Sequence, residues 1–219
     1  EALRVKLENP EKLTKASMDF YSGTMNGHEV VIVRSGIGKV NAGICTQILA
    51  DLFQVDVVIN TGIAGSLRAE INIGDIVIST DAVQHDMDAT GFGYKPGVIP
   101  RMETSCFKAD PDLVAAAKEA CAKAVPEVCA FTGRVVSGDQ FISDRAVKNR
   151  ISQQFGGMCT EMEGAAIAQA AYLNKIPFVV LRAISDKADA SAVVDYPAFE
   201  KQAIRHSVAL VENFISRVK

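Results

Sequence analysis

The 219-residue sequence lacks several features that would point to particular classes of protein. It has no tryptophan, and its apolar runs fall well short of the roughly 20 residues that a membrane-spanning helix needs. Its formal net charge is -3, so it has no basic excess of the kind that binds nucleic acid or an anionic lipid surface. We therefore expect neither a nucleic-acid partner nor a membrane partner.

The cysteines and histidines also lack the spacing of a disulfide framework or a metal site. The sequence has five cysteines, an odd number, and no pair has C-x-x-C spacing. This pattern predicts reduced thiols and a cytoplasmic protein. The three histidines, His28, His85 and His206, lie far apart and near no cysteine cluster, so we expect no metal.

Two glycine-rich stretches, SGIGK and NTGIAGS, do not match the motifs that bind nucleotide cofactors. The phosphate-loop pattern is absent from the sequence. Gly36 and Gly38 lack the third glycine of the dinucleotide fingerprint, because Asn41 occupies that position. The sequence therefore contains no cofactor fingerprint.

Strand and helix patterns alternate along most of the chain. Continuous apolar runs such as VVIV, VVIN and FVVLRAI are typical of strands that are buried on both faces. Helical patterns lie between them, which predicts a layered α/β fold with helices on both sides of the sheet, and residues 85 to 107 read as a long loop. The opening EALRVKLENPEKL reads as a helix. A sheet protein of this kind usually opens on a strand, so we predict one domain over residues 1 to 219, with a segment missing upstream of residue 1.

In such sheets, ligands bind beyond the carboxyl ends of the strands. Four predicted strand ends carry glycines or polar residues, and glycine lets the backbone approach a ligand closely. They are residues 35 to 39, 60 to 66, 137 to 142, and 185 to 186. We expect the functional site where these segments meet.

Three residues at these ends each have a structural and a functional interpretation. Asp186 closes an apolar strand, so it could be a turn or helix-capping residue, or a general acid whose pKa is raised by an apolar pocket. Phe141 and Ile142 could fill the core or form a wall for a flat ring. Taken singly, each residue favours the structural interpretation.

The stretch TEMEGAAIAQAA, residues 160 to 171, raises a similar choice. Thr160 and Glu163 match a capping box, in which the two side chains satisfy free backbone amides at the start of a helix. Glu161 suits the positive end of a helix dipole. Either glutamate could instead bind a ligand.

Taken together, the motifs resemble one family. SGIGKVNA, INTGIAGSL, VSGDQFI, TEMEGAAIA and VVLRAISDKAD occur in this order, as in the bacterial 5'-methylthioadenosine/S-adenosylhomocysteine nucleosidases of the purine nucleoside phosphorylase and uridine phosphorylase superfamily. The resemblance implies a three-layer α/β/α fold with a mixed, largely parallel central sheet. It also implies hydrolysis of the N-glycosidic bond of both nucleosides in methionine salvage and the activated methyl cycle, without any cofactor.

The resemblance implies a catalytic role for three residues. Asp186 would protonate adenine at N7, and Ser185 would support this acid. Glu163 would hold the ribose hydroxyls. Arg182 would support the attacking water.

It also implies a set of substrate contacts. Phe141 would stack on the base, Ile142 would meet the base edge through its backbone, and Met162 would lie against the ribose. Gly65 would lie near the sugar, and Tyr196 would close over the ligand. Ile37 and Glu161 complete the substrate-binding set.

Phe92 and Pro100 match positions that reach into the alkylthio pocket of a neighbouring subunit, which implies a homodimer. The sequence departs from the family in two places. The glutamate that activates water follows a first strand that is not in this sequence; Glu1 falls just beyond that position and is not assigned its role. Ile63 replaces a small polar residue.

Three alternatives stay open. A purine nucleoside phosphorylase would use phosphate as its nucleophile, but the positions where such relatives carry an arginine and a serine are Asn60 and Ile63. An aminodeoxyfutalosine nucleosidase would act on the same adenine and ribose groups. A degenerate, non-catalytic member of the fold would bind nucleosides only.

Overall fold

The structure is a computed structural model that describes residues 2–218, apart from the side chain of Val194. Glu1 lies outside the described residues. The described chain contains nine strands and five α-helices. Their bounds are β1 (Glu8–Lys15), β2 (Met18–Met25), β3 (His28–Val33), α1 (Lys39–Phe53), β4 (Val58–Ser66), β5 (Ile76–Gln84), β6 (Phe107–Lys108), α2 (Pro111–Ala124), β7 (Ala130–Ser137), α3 (Arg145–Phe155), β8 (Cys159–Glu161), α4 (Gly164–Asn174), β9 (Phe178–Asp186) and α5 (Ala192–Ile215).

The N-terminal segment is a strand, so the prediction of a helix there is wrong. Only Arg4–Lys6 forms a 3-10 turn; β1, β2 and β3 then build a three-stranded antiparallel sheet. Tight turns at residues 16 and 17 and at residues 26 and 27 join its strands, and all four of these residues have positive φ, as primed hairpin turns require. β1 is exposed along its length, so pairing with β2 rather than burial holds it as a strand.

The second sheet has six strands in the order β6-β5-β7-β8-β4-β9, and a further pairing of β5 with β9 closes five of them into a ring. The two long pairings, β4 with β9 and β5 with β7, are both parallel. The antiparallel pairings join only two or three residue pairs each. The predicted mixed, largely parallel sheet is confirmed, whereas its closure was not predicted.

Helices cover the sheet on both sides, as predicted. Along β5, Ile76 and Ile78 pack in one core cluster with Leu113 of α2 and Phe214 of α5. Val77, between them, packs in a second cluster that contains Ala165 and Ala168 of α4. Every residue of β9 is buried, which explains why its sequence does not alternate between apolar and polar residues.

The loop after β5 follows the prediction closely. It contains one 3-10 turn, Thr90–Phe92, and its last predicted residue begins the short strand β6. Among residues 2–218, no helix has the length and apolar character to cross a membrane.

Candidate active site

The strand register brings several of the predicted site residues to one end of the ring. Gly65 on β4 is paired with Asp186 on β9 and with Thr160 on β8. Ser137 on β7 is paired with Glu161 on β8. β8 is only three residues long and was not predicted, yet it carries Glu161 into the sheet between β7 and β4.

Asp186 is a buried carboxyl group at the end of β9. Its Oδ1 accepts a hydrogen bond from the Ala188 amide at 2.8 Å, and its Oδ2 accepts from the Ser185 hydroxyl at 2.8 Å. Burial raises the pKa of Asp186 above its usual value, against the lowering effect of these two hydrogen bonds. The group is therefore suited to hold and donate a proton.

Gly65 makes room for this acid. A Cβ atom at Gly65 would lie 2.7 Å from Asp186 Oδ1 and 2.8 Å from the Ala188 Cβ. Both contacts are closer than real Cβ atoms tolerate, so any larger residue would displace the acid or the turn that follows it.

Glu163 occupies the N-cap position directly before helix α4, but its side chain makes no capping bond. Its Oε1 accepts a hydrogen bond from the Gly38 amide at 3.0 Å, and its Oε2 lies 3.6 Å from Arg182 Nη2. No bond joins it to Thr160 within the described residues, so the capping-box interpretation is wrong. Burial raises the pKa of Glu163, and the positive charge of Arg182 opposes that shift.

Glu161, two residues earlier, caps the helix instead. Its carboxylate accepts hydrogen bonds from the Glu163 amide at 3.1 Å and from the Gly164 amide at 2.7 Å. It is also bonded to the Ser137 hydroxyl and to Arg182. Its negative charge lies at the positive end of the α4 dipole. Glu161 is buried and its carboxylate is bonded to protein groups, so its observed contacts position Arg182 and α4. Its predicted substrate contact stays a prediction.

Arg182 links the two glutamates from β9. Its buried guanidinium donates to Asn60 Oδ1 at 2.6 Å and to Glu161, while its Nε has no partner within the described residues. Gly62 lies directly against it, since a Cβ atom there would collide with Nη1. A buried guanidinium in this setting needs its carboxylate partner, so Glu161 determines where Arg182 points.

A shallow cleft follows β7 near these groups. The ring of Phe141 is half-exposed and meets the ring of Tyr196 edge-on, with centroids 6.0 Å apart. The Ile142 side chain is buried, while its amide and carbonyl form no hydrogen bond within residues 2–218. A flat ring next to Phe141 would therefore find a free backbone donor and acceptor. The cleft is lined by Gln140, Phe141, Ile142, Ser143, Asp144 and Val147.

The remaining predicted site residues differ in their exposure to solvent. Met162 is half-buried between the two glutamates, and Ile63 packs partly buried against the core cluster of α2 and α5. Ile37, just before Gly38, is 70% exposed, and Phe92 is 87% exposed. Pro100 is half-buried in the loop after β5.

Sequence reasoning missed the groups that hold the site in place. They are the Ser137 hydroxyl and the Gly38 and Ala188 amides. Gly38 has φ 95°, a conformation that favours glycine, and its amide is directed at Glu163. The position of Gly38 in SGIGK predicted a flexible turn, but it did not predict that the Gly38 amide would bond to Glu163. In the part of the chain that the structure describes, no group of three or more His, Cys, Asp or Glu side chains is arranged to hold a metal ion.

Comparison with known proteins gives consistent matches over nearly the whole chain. The sequence model of the phosphorylase superfamily matches residues 2–216. A 5'-methylthioadenosine/S-adenosylhomocysteine nucleosidase of Anoxybacillus flavithermus is 43% identical over 217 residues, which cover 99% of this chain and 93% of the relative.

Solved structures of the same kind of protein are also similar. The nucleosidase of Neisseria meningitidis in complex with methylthio-immucillin-A superposes with a TM-score of 0.94 at 37% identity, covering 99% of this chain and 93% of that one. The nucleosidase of Colwellia psychrerythraea in complex with adenine gives a TM-score of 0.94 at 40% identity, covering 99% and 90%.

Proposed function

The chain belongs to the 5'-methylthioadenosine/S-adenosylhomocysteine nucleosidases of the phosphorylase superfamily, and from this premise we propose that it hydrolyses the N-glycosidic bond of both nucleosides. The products are adenine and the corresponding 5'-thioribose. These reactions would serve methionine salvage and the activated methyl cycle.

The observation that carries the proposal is the buried Asp186 at the end of β9, whose pKa is raised by burial. Adenine is a poor leaving group from ribose unless a ring nitrogen is protonated. A neutral aspartic acid supplies that proton as general acid, at N7 of the base. The half-exposed Phe141 ring and the free Ile142 backbone support placing the base in the adjacent cleft.

The sugar is assigned to the side of Glu163 and Met162. As the bond to adenine breaks, positive charge develops on the ribose, as in glycoside hydrolysis. The Glu163 carboxylate would accept hydrogen bonds from the ribose hydroxyls and place negative charge close to that cation. The hydroxyl of water then adds to C1', and the proton released returns through solvent to Asp186.

Water rather than phosphate is the nucleophile that the site supports. A phosphate dianion needs cationic clamps, ideally arginine forks. The Arg182 guanidinium is already bonded to Asn60 and Glu161, and Asn60 and Ile63 stand where phosphorylase relatives carry an arginine and a serine. A bound phosphate would therefore be poorly compensated.

The test is incubation of the purified protein with 5'-methylthioadenosine in buffers with and without phosphate, with chromatographic detection of adenine. We expect adenine at the same rate in both buffers, together with methylthioribose. Formation of methylthioribose 1-phosphate, or a rate that depends on phosphate, would assign the protein to the phosphorylases. Binding of the nucleoside without release of adenine would indicate a non-catalytic member.

We also propose that the protein is a cytoplasmic homodimer. Its five cysteines are free thiols, as expected of a reducing compartment. Phe92 and Ile37 are largely exposed apolar side chains, and in a dimer Phe92 and Pro100 would cover the 5' substituent in the partner's site. Sedimentation equilibrium should give twice the mass of the chain, and a monomer at micromolar concentration would contradict this.

A further inference from the structure

Three polar residues near the site, to which no role has been assigned so far, bond to one another. Lys39 begins α1, Asp86 lies two residues after β5, and Asp139 lies two residues after β7. Asp139 Oδ1 accepts from the Lys39 amide at 2.8 Å, and the Asp139 amide donates to Asp86 Oδ2 at 2.9 Å. Lys39 Nζ donates to Asp86 Oδ1 at 2.6 Å, which closes the Lys39–Asp86–Asp139 triangle.

Two corners of this triangle adjoin opposite halves of the proposed active site. The Gly38 amide, directly before Lys39, holds Glu163 Oε1 at 3.0 Å on the sugar side. Asp139 precedes Phe141 and the free backbone of Ile142 on the base side. Successive amides of one turn thus hold Glu163 and Asp139, so a single bond from the Lys39 amide joins the two halves.

The Lys39–Asp86 ion pair of the triangle has little exposure to solvent, whereas Asp139 is exposed. The Lys39 and Asp86 side chains are only 19% and 17% exposed, so salt screens their ion pair less than a surface pair. Burial alone would raise the pKa of Asp86, but the hydrogen bonds from Lys39 and from the Asp139 amide lower it below its usual value. Lys39 Nζ also donates to Gln84 Oε1 at 2.9 Å, and Gln84 bonds to Gln169 on α4, the helix that directly follows Glu163.

We infer that Asp139 is a positioning residue: its carboxylate oxygen accepts from the Lys39 amide and thereby sets Phe141 and the Ile142 backbone at the correct distance from Glu163. The inference rests on the proposed function, because it concerns the alignment of the sugar with the base. The bond requires an oxygen acceptor rather than a negative charge. Asparagine at position 139 should therefore serve in its place, and alanine should not.

The experiment compares Asp139→Ala and Asp139→Asn with the wild-type protein. We expect Asp139→Ala to lower kcat/KM for 5'-methylthioadenosine about 10- to 100-fold, with a fall in kcat, because small misplacements of reacting groups cost this much. The Kd for adenine, measured by calorimetry, should rise in the same variant. Asp139→Asn should stay close to wild type in both measurements.

Asp110→Ala is the matched control. The Asp110 carboxylate also accepts amides at the start of a helix, those of Asp112 and Leu113 at 3.0 Å, but it is the N-cap of its own helix α2 and lies outside the site. Its loss should lower Tm and leave the kinetics unchanged.

Three results would overturn the inference. Asp139→Ala could lower Tm with wild-type kcat and adenine affinity, which is the behaviour of a purely structural cap. Asp139→Asn could be as impaired as Asp139→Ala, which would make charge the essential property. If the wild type binds adenine but does not release adenine from 5'-methylthioadenosine, only the proposed function fails, and the adenine Kd of the variants still decides the inference. A wild type that does not bind adenine overturns both.

Discussion

Asp186→Asn is expected to lower kcat by roughly 10²- to 10⁴-fold, the usual contribution of a positioned general acid. Asparagine has nearly the same shape and can still accept the Ala188 amide, which bonds to Asp186 Oδ1 at 2.8 Å. It has no proton to give at neutral pH. The Kd for 5'-methylthioadenosine, measured by calorimetry, should therefore change only a few-fold.

The role of Asp186 as an acid also predicts the direction in which kcat changes with pH. The acid works only in its protonated form, so kcat should fall as pH rises through the pKa of Asp186. Burial raises that pKa, which moves the fall to higher pH than an ordinary aspartic acid would show. The residual activity of Asp186→Asn should lack this descending limb.

A second buried aspartate serves as the control. Asp75 is buried and accepts hydrogen bonds from the Asn72 and Cys129 amides, away from the cleft. Asp75→Asn should lower Tm, because it replaces one of the two carboxylate oxygens that accept these buried backbone amides. It should have little effect on kcat. Turnover by Asp186→Asn within tenfold of wild type would show that another group protonates the base.

Glu163→Gln is expected to lower kcat by about 10²- to 10³-fold, as the loss of one preorganised electrostatic contact does elsewhere. The side-chain oxygen of glutamine can still accept the Gly38 amide, so the turn before α1 should hold. What is lost is the negative charge beside the developing cation, an interaction that strengthens in the transition state. KM should change little, and the urea midpoint should stay near wild type.

Glu161→Gln is the informative comparison, because the two glutamates are separated by a single residue. Glu161 is buried, caps α4 and is bonded to Arg182. Replacing it removes the carboxylate that is bonded directly to the buried guanidinium and leaves only Glu163, at 3.6 Å, as a charged neighbour. Breaking a buried ion pair in this way costs about 3–5 kcal/mol of the free energy of unfolding. Urea denaturation should therefore show the large loss in Glu161→Gln. A large loss of stability in Glu163→Gln, with normal kcat, would make Glu163 a structural residue.

Much of the fold was predictable because burial leaves a pattern in the sequence. The apolar runs that became β4 and β9 and the helix patterns of α1 and α2 identified the α/β class and the strand ends where polar residues gather. The N-terminal prediction failed for a related reason: the residues from 8 to 15 carry no burial pattern, since β1 is exposed and exists only through its pairing with β2.

The sequence by itself determined which chemical groups are available: a carboxyl group at the end of β9, two glutamates at the start of α4, and glycines where the backbone comes close to other groups. Only the tertiary structure decided which glutamate caps the helix and which faces the site. The capping signals of Glu161 and Glu163 are equivalent locally. The bonds that fix their different orientations run to Arg182, Ser137 and Gly38, which lie between 21 and 125 residues away. Partners at such separations are set by strand register and chain crossing, and these do not follow from local propensity or spacing.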